Sequence, residues 1–197
     1  MTIIFFIKSK TVKVDKYNIK DIPGSSGRLD VISRCILAAL IRNNHFEKNV
    51  QIWVFLDHYG TFIFSSDYFN YKTFPKNELL FTDNFARVIQ SLYKKAQPLN
   101  PLNTLEKSSM DILDAIKHFK KLNYNIYILQ EQGKDFFTQF SIIKKQEKIV
   151  FIIGSQEDEF LNSEELLELK VSRLSFGDQS YLASSIIRLL KLYILGF

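Results

Sequence analysis

The sequence is poor in cysteine, glycine and proline: its 197 residues include one cysteine, seven glycines and four prolines. Cys35 has no second cysteine with which to form a disulfide in the chain, which excludes a disulfide scaffold and predicts a reduced, cytoplasmic setting. Its neighbours Ile32, Ile36 and Leu37 are apolar, so we interpret Cys35 as a buried structural thiol rather than as a nucleophile.

Signature motifs of several protein classes are absent as well. No G-x-G-x-x-G follows a predicted strand and no G-x-x-x-x-G-K-[ST] occurs, which disfavours an ordinary dinucleotide-binding fold and a P-loop NTPase. The three histidines, His45, His58 and His118, are not spaced as metal ligands, so we expect no metal site.

The most apolar helix-like stretch, residues 182–195, is interrupted by Arg188 and Lys191 and is too short to span a bilayer. We therefore expect no membrane association. The formal net charge of +5 modestly favours a polyanionic partner such as nucleic acid. An apolar content of 46% is enough for a packed core, and the length fits one domain, residues 1–197.

Hydrophobic periodicity predicts an α/β fold. Short apolar runs rich in β-branched and aromatic residues predict strands, and apolar side chains at three- and four-residue spacing predict helices. The predicted strands are residues 3–7, 50–56, 61–64, 125–129, 149–153 and 171–174, and the predicted helices are residues 28–41, 79–95, 108–122 and 181–195. This order of elements predicts a mostly parallel sheet, with a hairpin joining the second and third strands.

Residues 22–35 form the most informative stretch of the chain, Ile-Pro-Gly-Ser-Ser-Gly-Arg-Leu-Asp-Val-Ile-Ser-Arg-Cys. A glycine-serine loop that leads into a helix presents backbone N–H groups at the positive end of the helix dipole, where anions bind. Arg28 and Arg34 would suit a phosphate, and the carboxylate of Asp30 would suit proton or ribose chemistry. The same residues also fit an ordinary helix start, in which Ser26 is the N-cap and Asp30 pairs with Arg34 four residues later.

The run PGSSGRLDVISRC resembles the P-G-S-x-G-R-L-D-x-x-x-R-C signature of archaeal tRNA pseudouridine N1-methyltransferases, members of the SPOUT superfamily of S-adenosylmethionine-dependent RNA methylases. The resemblance implies methylation of N1 of the pseudouridine at position 54, in the T-loop of tRNA. It also implies a SPOUT-type sheet with helices on both faces, a C-terminal trefoil knot that holds S-adenosylmethionine, and a homodimer. We expect residues 1–105 to face the RNA and residues 106–197 to bind the cofactor.

Strand ends in the C-terminal half are the expected cofactor site, because ligands of open α/β sheets lie at the carboxyl ends of the strands. Carried over by position from the family, the cofactor contacts are Leu129, Gly154, Phe176, Gly177, Asp178, Gln179, Ser180 and Tyr181.

The turn before the first predicted helix is the expected RNA site, and a target base turned out of its stack would lie beside it. The expected RNA contacts are Gly24, Ser25, Ser26, Gly27, Arg28 and Arg34. The catalytic candidates are Asp30, which would orient or accept the proton that leaves N1, and Arg28, which would contact a phosphate or the base. Because Arg28 and Arg34 are six residues apart, we expect them on different faces of the helix and not on one phosphate.

Departures from the family pattern leave other functions open. Residues 181–186, YLASSI, stand where the family has Leu-His-Ala-x-His-Cys, and the Pro-Gly-Ile run expected near Met110 is missing. The alternatives are a related SPOUT enzyme that acts on rRNA pseudouridine and a non-catalytic RNA-binding protein with a degenerate cofactor pocket. The apolar closing helix, with Ile186, Ile187, Leu190 and Ile194, is expected either in a two-fold interface or in the core of its own subunit.

Overall fold

A central sheet organises the chain, of which a computed structural model describes residues 1–92, 99–154 and 160–196. The strands in this part are β1 (Thr2–Ser9), β2 (Ile41–Arg42), β3 (His45–Phe46), β4 (Val50–Leu56), β5 (Gly60–Ser65), β6 (Glu106–Ser108), β7 (Asn125–Asp135), β8 (Lys148–Ile153) and β9 (Ser172–Ser175). Seven of them form the sheet in the order β6-β5-β4-β1-β8-β7-β9, and β2 pairs separately with β3.

The predicted mostly parallel sheet is confirmed. Within this sheet, neighbouring strands from β4 through β1, β8 and β7 to β9 run parallel, whereas β5 pairs antiparallel with β4 and the edge strand β6 pairs antiparallel with β5. The predicted hairpin is also confirmed, since β4 and β5 pair in antiparallel register from Gln51 opposite Ser65 to Leu56 opposite Gly60. The inner strands are nearly continuous apolar runs because both faces of the sheet are covered.

Helices cover both faces of the sheet, as the resemblance implied. They are α1 (Ile22–Ser25), α2 (Leu29–Leu40), α3 (Glu78–Ser91), α4 (Ile112–Lys121), α5 (Phe136–Ile143), α6 (Glu164–Glu168) and α7 (Ala183–Leu195). Strand β1 shows which helices cover each face of the sheet, because successive side chains along a strand point to opposite faces. Ile3, Phe5 and Ile7 join the core under α2, α3, α5 and α7, whereas Ile4 and Phe6 join the core under α4 and α6.

Helices α2 and α7 lie side by side and are joined near their carboxyl ends. The ammonium of Lys191, in α7, donates to the carbonyl oxygens of Ala38 and Ala39 at 2.8 Å and of Ile41 at 3.0 Å. These carbonyls lie at the end of α2, where the backbone has no further helical donors. Lys191 is only 3% exposed, so its charge is held inside the protein by these acceptors and by Glu47, 3.8 Å away.

One predicted helix begins later than its spacing indicated. Helix α4 was expected from residue 108, but it begins at Ile112, where Asp111 caps it by accepting a hydrogen bond from the amide of Asp114 at 2.8 Å. The preceding segment Glu106–Ser108 pairs instead with β5 and becomes the edge strand β6. Short polar edge strands lack the alternating apolar pattern by which strands are recognised, which is why this one was missed.

Other segments also differ from their predictions. Residues 22–25 form the one-turn helix α1 and not a loop, with Pro23 near its start, where a missing N–H costs nothing. Helix α5 was not predicted. Helix α3 ends at Ser91, and residues 93–95, predicted to continue it, lie outside the described residues.

Two expectations concern the whole chain. Of the helices in the described ranges, none is long and apolar enough to cross a membrane. The C-terminal knot implied by the resemblance stays a prediction.

Candidate functional site

A cavity of about 840 Å³ lies between the middle of β7, from Leu129 to Gln132, and the carboxyl ends of β8 and β9. The sequence-predicted cofactor residues that line it are Leu129, Gly154, Phe176, Gly177, Gln179, Ser180 and Tyr181. Asp178 belongs to the same loop but is exposed and does not line the cavity. The strand ends named from the sequence therefore meet at one place, because the carboxyl ends of parallel strands share one edge of the sheet.

The loop after β9 is shaped by its own backbone and by aromatic packing. The hydroxyl of Ser175 accepts a hydrogen bond from the amide of Gly177 and donates to the carbonyl of the same residue, both at 3.0 Å. Gly177 has a φ of 102°, a conformation that favours glycine. The Phe176 ring packs 4.5 Å from the ring of Phe136 in α5, which fixes the loop at the mouth of the cavity.

Strand β7 contributes residues that the sequence analysis missed. Its pairing with β9 shifts register between Leu129 and Lys134, so the residues between them do not pair with β9. Three of these residues, Gln130, Glu131 and Gln132, line the cavity. Gly133 permits this, since a Cβ there would stand 2.4 Å from the backbone of Leu174. The signal was a polar Gln-Glu-Gln run followed by glycine directly after an apolar strand, a pattern typical of a bulge.

Two of the amides in the glycine-serine turn before α2 are hydrogen-bonded within the chain and are not free to bind an anion. The Gly24 amide donates to the carboxylate of Asp21 at 3.2 Å, and the Ser26 amide donates to the carbonyl of Ile22 at 3.0 Å. These N–H groups therefore have partners within the chain. None of Gly24, Ser25, Ser26 and Gly27 lines the cavity.

Ser26 has the capping role that was the alternative interpretation. It is fully buried, its hydroxyl donates to the carbonyl of Ile22 at 2.6 Å, and it accepts from the amide of Leu29 at 3.1 Å. This corrects its assignment as an RNA contact, because a fully buried side chain offers no surface to a partner. Gly27 has a φ of 58°, and a Cβ there would stand 1.8 Å from the Thr11 carbonyl oxygen.

Arg28 and Arg34 converge on one carboxylate, contrary to the expectation that they lie on different faces. Arg28 donates to Asp30 through Nε at 3.1 Å and Nη2 at 3.2 Å, and Arg34 donates to it through Nη2 at 3.0 Å. The expectation was wrong because Arg28 is not helical: its φ of 69° places it in the left-handed region, just before α2. Both arginines line the cavity, so the structure brings them together with the strand-end loops.

The carboxylate of Asp30 is held in its ionised form. Burial alone would raise its pKa, but the hydrogen bonds and charge of Arg28, and then those of Arg34, outweigh burial and lower the pKa below its usual 3.8. The side chain is 8% exposed, and its oxygens accept three hydrogen bonds from the two guanidinium groups. A carboxylate with a lowered pKa and these partners is a weak proton acceptor.

The cavity fits S-adenosylmethionine in size and in chemistry. Cofactor pockets typically occupy about 300–1,000 Å³ and mix apolar walls with a few placed polar groups. Leu129, Ile153 and Leu174 supply apolar walls here. The side-chain carbonyl of Gln130, which also lines the cavity, is buried and has no hydrogen-bond partner in the described part of the chain, so it can accept from an amino group of the cofactor. Within the same ranges, no three His, Cys, Asp or Glu side chains are grouped to hold a metal ion.

The fold and the cavity define an α/β protein with a cofactor-sized cavity at its strand ends, bordered by two arginines. The chain belongs to a family of S-adenosylmethionine-dependent RNA methyltransferases, because the family model described as "Putative SAM-dependent RNA methyltransferase" matches residues 2–195. The resemblance stated from residues 23–35 is thereby confirmed.

Relatives and a solved structure agree with this membership. The chain is 28% identical over 206 residues to the tRNA (pseudouridine(54)-N(1))-methyltransferase of Pyrococcus abyssi, an alignment that covers 97% of this chain and 96% of the relative. It is 30% identical over 182 residues to the protein of the same name from Methanococcus aeolicus, with 85% of each covered. The crystal structure of Archaeoglobus fulgidus Nep1 bound to S-adenosylhomocysteine has a similar fold, with a TM-score of 0.63 at 15% identity over 98% of this chain and 97% of that chain.

Proposed function

We propose that this chain methylates N1 of the pseudouridine at position 54 in the T-loop of tRNA, in the cytoplasm, with S-adenosylmethionine as the methyl donor. The observation that carries the proposal is that Arg28 and Arg34 line the same cavity as the bulge of β7 and the segments that follow β8 and β9. Family membership supports the cofactor, and the shared name of the relatives supports the target base.

The reaction requires few chemical groups from the protein. When bound, S-adenosylmethionine supplies a methyl group on a sulfonium, which is a good leaving group. The methyl group would pass to N1 with the electron pair left on sulfur, and the proton of N1 would pass to solvent water, since Asp30 is a weak proton acceptor. The main task of the chain is to hold N1 in line with the methyl group, so positioning dominates the catalysis.

Arg28 and Arg34 are the residues that we assign to the RNA. Their guanidinium groups suit a phosphate or a base edge, and Asp30 fixes both in one orientation through its three hydrogen bonds. In this proposal Asp30 is a positioning residue that acts through the arginines. The cofactor contacts are the loops that contain Leu129, Gly154 and Tyr181.

We also propose a homodimer, with residues 1–105 facing RNA and residues 106–197 binding the cofactor. Of the apolar side chains of α7 named from the sequence, Ile187, Leu190 and Ile194 are buried within their own subunit, and the partly buried Ile186 lines the cavity. The exposed apolar side chains beside them are Phe137 (52%), Leu182 (66%) and Leu192 (41%), and we assign these to the interface. Light scattering on the purified chain is expected to give twice the monomer mass, and Leu192→Glu is expected to give the monomer.

Mass spectrometry of nucleosides tests the proposed activity directly. Two tRNA transcripts that differ only in pseudouridine or uridine at position 54 are incubated with the protein and S-adenosylmethionine. N1-methylpseudouridine is expected from the first transcript and no methylated nucleoside from the second. Methylation of the uridine transcript would overturn the proposal, and faster transfer to a pseudouridine-containing rRNA fragment would favour the rRNA alternative. A calorimetric failure to bind S-adenosylmethionine would favour the non-catalytic alternative.

Two substitutions separate the two parts of the site. Arg28→Ala is expected to weaken RNA methylation while leaving the cofactor dissociation constant near that of the wild type. Gly154→Val places a branched side chain at the cavity wall and is expected to weaken cofactor binding first. If both variants match the wild type in both assays, the site assignment is wrong.

A further inference from the structure

A basic segment without regular strand structure crosses the outside of the glycine-serine turn. We name residues 11–20 the lysine strap. Val12 and Val14 are each 1% exposed and anchor the strap in the core under α2, while Lys13 between them is exposed. This alternation directs valines inward and a lysine outward, as in an edge segment with one face on the core.

Hydrogen bonds fix the strap to the turn that precedes Arg28. The Thr11 hydroxyl donates to the carbonyl of Gly27 at 3.0 Å, and the Lys13 amide donates to the carbonyl of Ser26 at 3.1 Å. Further along, the Asn18 amide donates to the hydroxyl of Ser25 at 2.8 Å. The strap therefore lies directly beside the turn, at the side of the cavity where Arg28 stands.

Its middle is held by the rest of the subunit. The Val14 amide donates to the hydroxyl of Tyr59 at 2.9 Å, and the side-chain amide of Gln90, in α3, donates to the carbonyl of Val14 at 2.8 Å. A polar segment with so many partners has a defined position, so the charges that it carries have a defined position as well.

The lysines of the strap are not neutralised by neighbours. Lys13, Lys16 and Lys20 are exposed, and none has a carboxylate within ion-pair distance in the described ranges. By contrast, Arg34 pairs with Glu78 at 3.3 Å, and Arg87 pairs with Asp83 at 2.9 Å. The strap itself contains a single acidic residue against three lysines, which leaves a surplus of positive charge at this place.

We propose that the lysine strap binds the sugar-phosphate backbone of the substrate RNA next to the target nucleotide. The inference rests on the proposed function and adds to it a surface outside the cavity. Lysines contact phosphates as point charges, and such contacts set the register of a nucleic acid without reading its sequence. The strap would thus fix how the T-loop approaches Arg28, while the cavity selects the base.

Salt dependence of RNA binding tests the strap. Each phosphate neutralised by a lysine contributes about 0.7 to 0.9 to the slope of log affinity against log salt. Lys13→Ala/Lys16→Ala is therefore expected to reduce the slope by about 1.5, so that raising salt from 50 to 200 mM weakens wild-type binding about eightfold more than binding by the variant. Affinity for S-adenosylmethionine, measured by calorimetry, is expected to stay unchanged.

A charge-matched control removes two lysines elsewhere. Lys117 and Lys121 are exposed on α4, which covers the opposite face of the sheet. Lys117→Ala/Lys121→Ala is expected to keep the wild-type slope, because these lysines lie far from the strap. If the slope of log affinity against log salt falls equally in both variants, RNA binding depends only on net charge, and the inference is overturned.

The outcomes separate the strap from the proposed activity. If the wild type methylates the pseudouridine transcript and the strap variant keeps the full slope, the strap inference is wrong and the activity stands. If the wild type binds tRNA with a slope that the strap variant reduces but transfers no methyl group, the activity is wrong and the strap stands.

Discussion

Replacing Asp30 by asparagine tests whether this carboxylate acts through the two arginines. Asparagine keeps the shape of the side chain, but only one of its two terminal atoms accepts hydrogen bonds, and its NH₂ group would face a guanidinium donor. Three charge-assisted hydrogen bonds, at 3.0, 3.1 and 3.2 Å, are lost or weakened. Bonds to charged groups contribute about 1.5–3 kcal/mol each when buried. The arginine side chains are 33% and 39% exposed, so we expect a total loss of about 2 kcal/mol in the free energy of unfolding.

Urea unfolding and steady-state methylation measure the two consequences of this substitution. We expect kcat/KM to fall about 10- to 100-fold, because the arginines lose their fixed orientation. Arg28→Ala should produce a similar loss, and the double variant should be little worse than either single variant, since both changes remove one unit. Asp114→Asn, on an exposed position of α4, is the control and is expected to change neither quantity appreciably.

The pH dependence gives an independent check of the same reasoning. Because the folded-state pKa of Asp30 is lowered, its contribution to stability is present above about pH 4 and is lost as the pH falls through the folded-state pKa. The difference in unfolding free energy between wild type and Asp30→Asn should therefore shrink in acid. The reasoning is refuted if the variant keeps RNA affinity, loses nearly all kcat and loses the acidic limb of the pH–rate profile, since that pattern describes a general base.

Other predictions follow from single contacts. In a urea titration, Gly27→Ala should lower the free energy of unfolding by about 3 kcal/mol or more, because its Cβ would collide with the Thr11 carbonyl oxygen and its φ is positive. Gly60→Ala is the control: its φ is 86° but no atom lies within 4 Å of the added Cβ, so it should lower the free energy of unfolding by only about 1 kcal/mol. Lys191→Met should cost about 3 kcal/mol by leaving three carbonyl oxygens at the end of α2 without a donor, and an unchanged midpoint would contradict this. Burial raises the pKa of the Cys35 thiol to about 12, so a thiol reagent should label it only at the rate of unfolding, and rapid labelling of the native protein would contradict its burial.

The sequence predicted the parts of the fold that depend on hydrophobic pattern. Helix α2 was placed within one residue at each end because Leu29, Ile32, Ile36 and Leu40 form one apolar stripe, and all four are buried. The strand ends could be joined into one cavity because parallel strands end at the same edge. These predictions needed no knowledge of tertiary contacts.

The features that were missed depend on contacts that no local pattern records. Helix α5 is apolar on nearly every side, with Phe137 52% and Ile142 57% exposed, so it has no amphipathic stripe to recognise. The meeting of Arg28 with Arg34 depends on one left-handed residue, because helical spacing does not apply before α2 begins. The wall formed by the bulge of β7 depends on how closely Gly133 approaches β9.

The hydrogen bonds of Lys191, which join α7 to the end of α2, have a consequence for how RNA and the cofactor affect each other's binding. Helices α2 and α7 are joined near their carboxyl ends, while their amino-terminal halves border the cavity through Val31 and Arg34 in α2 and through Ser184 in α7. A ligand that changes the angle between these helices would therefore move the arginines that we assign to RNA together with the cofactor loop before α7. Thermodynamic linkage then requires reciprocity: whatever factor the cofactor applies to RNA affinity, RNA must apply to cofactor affinity.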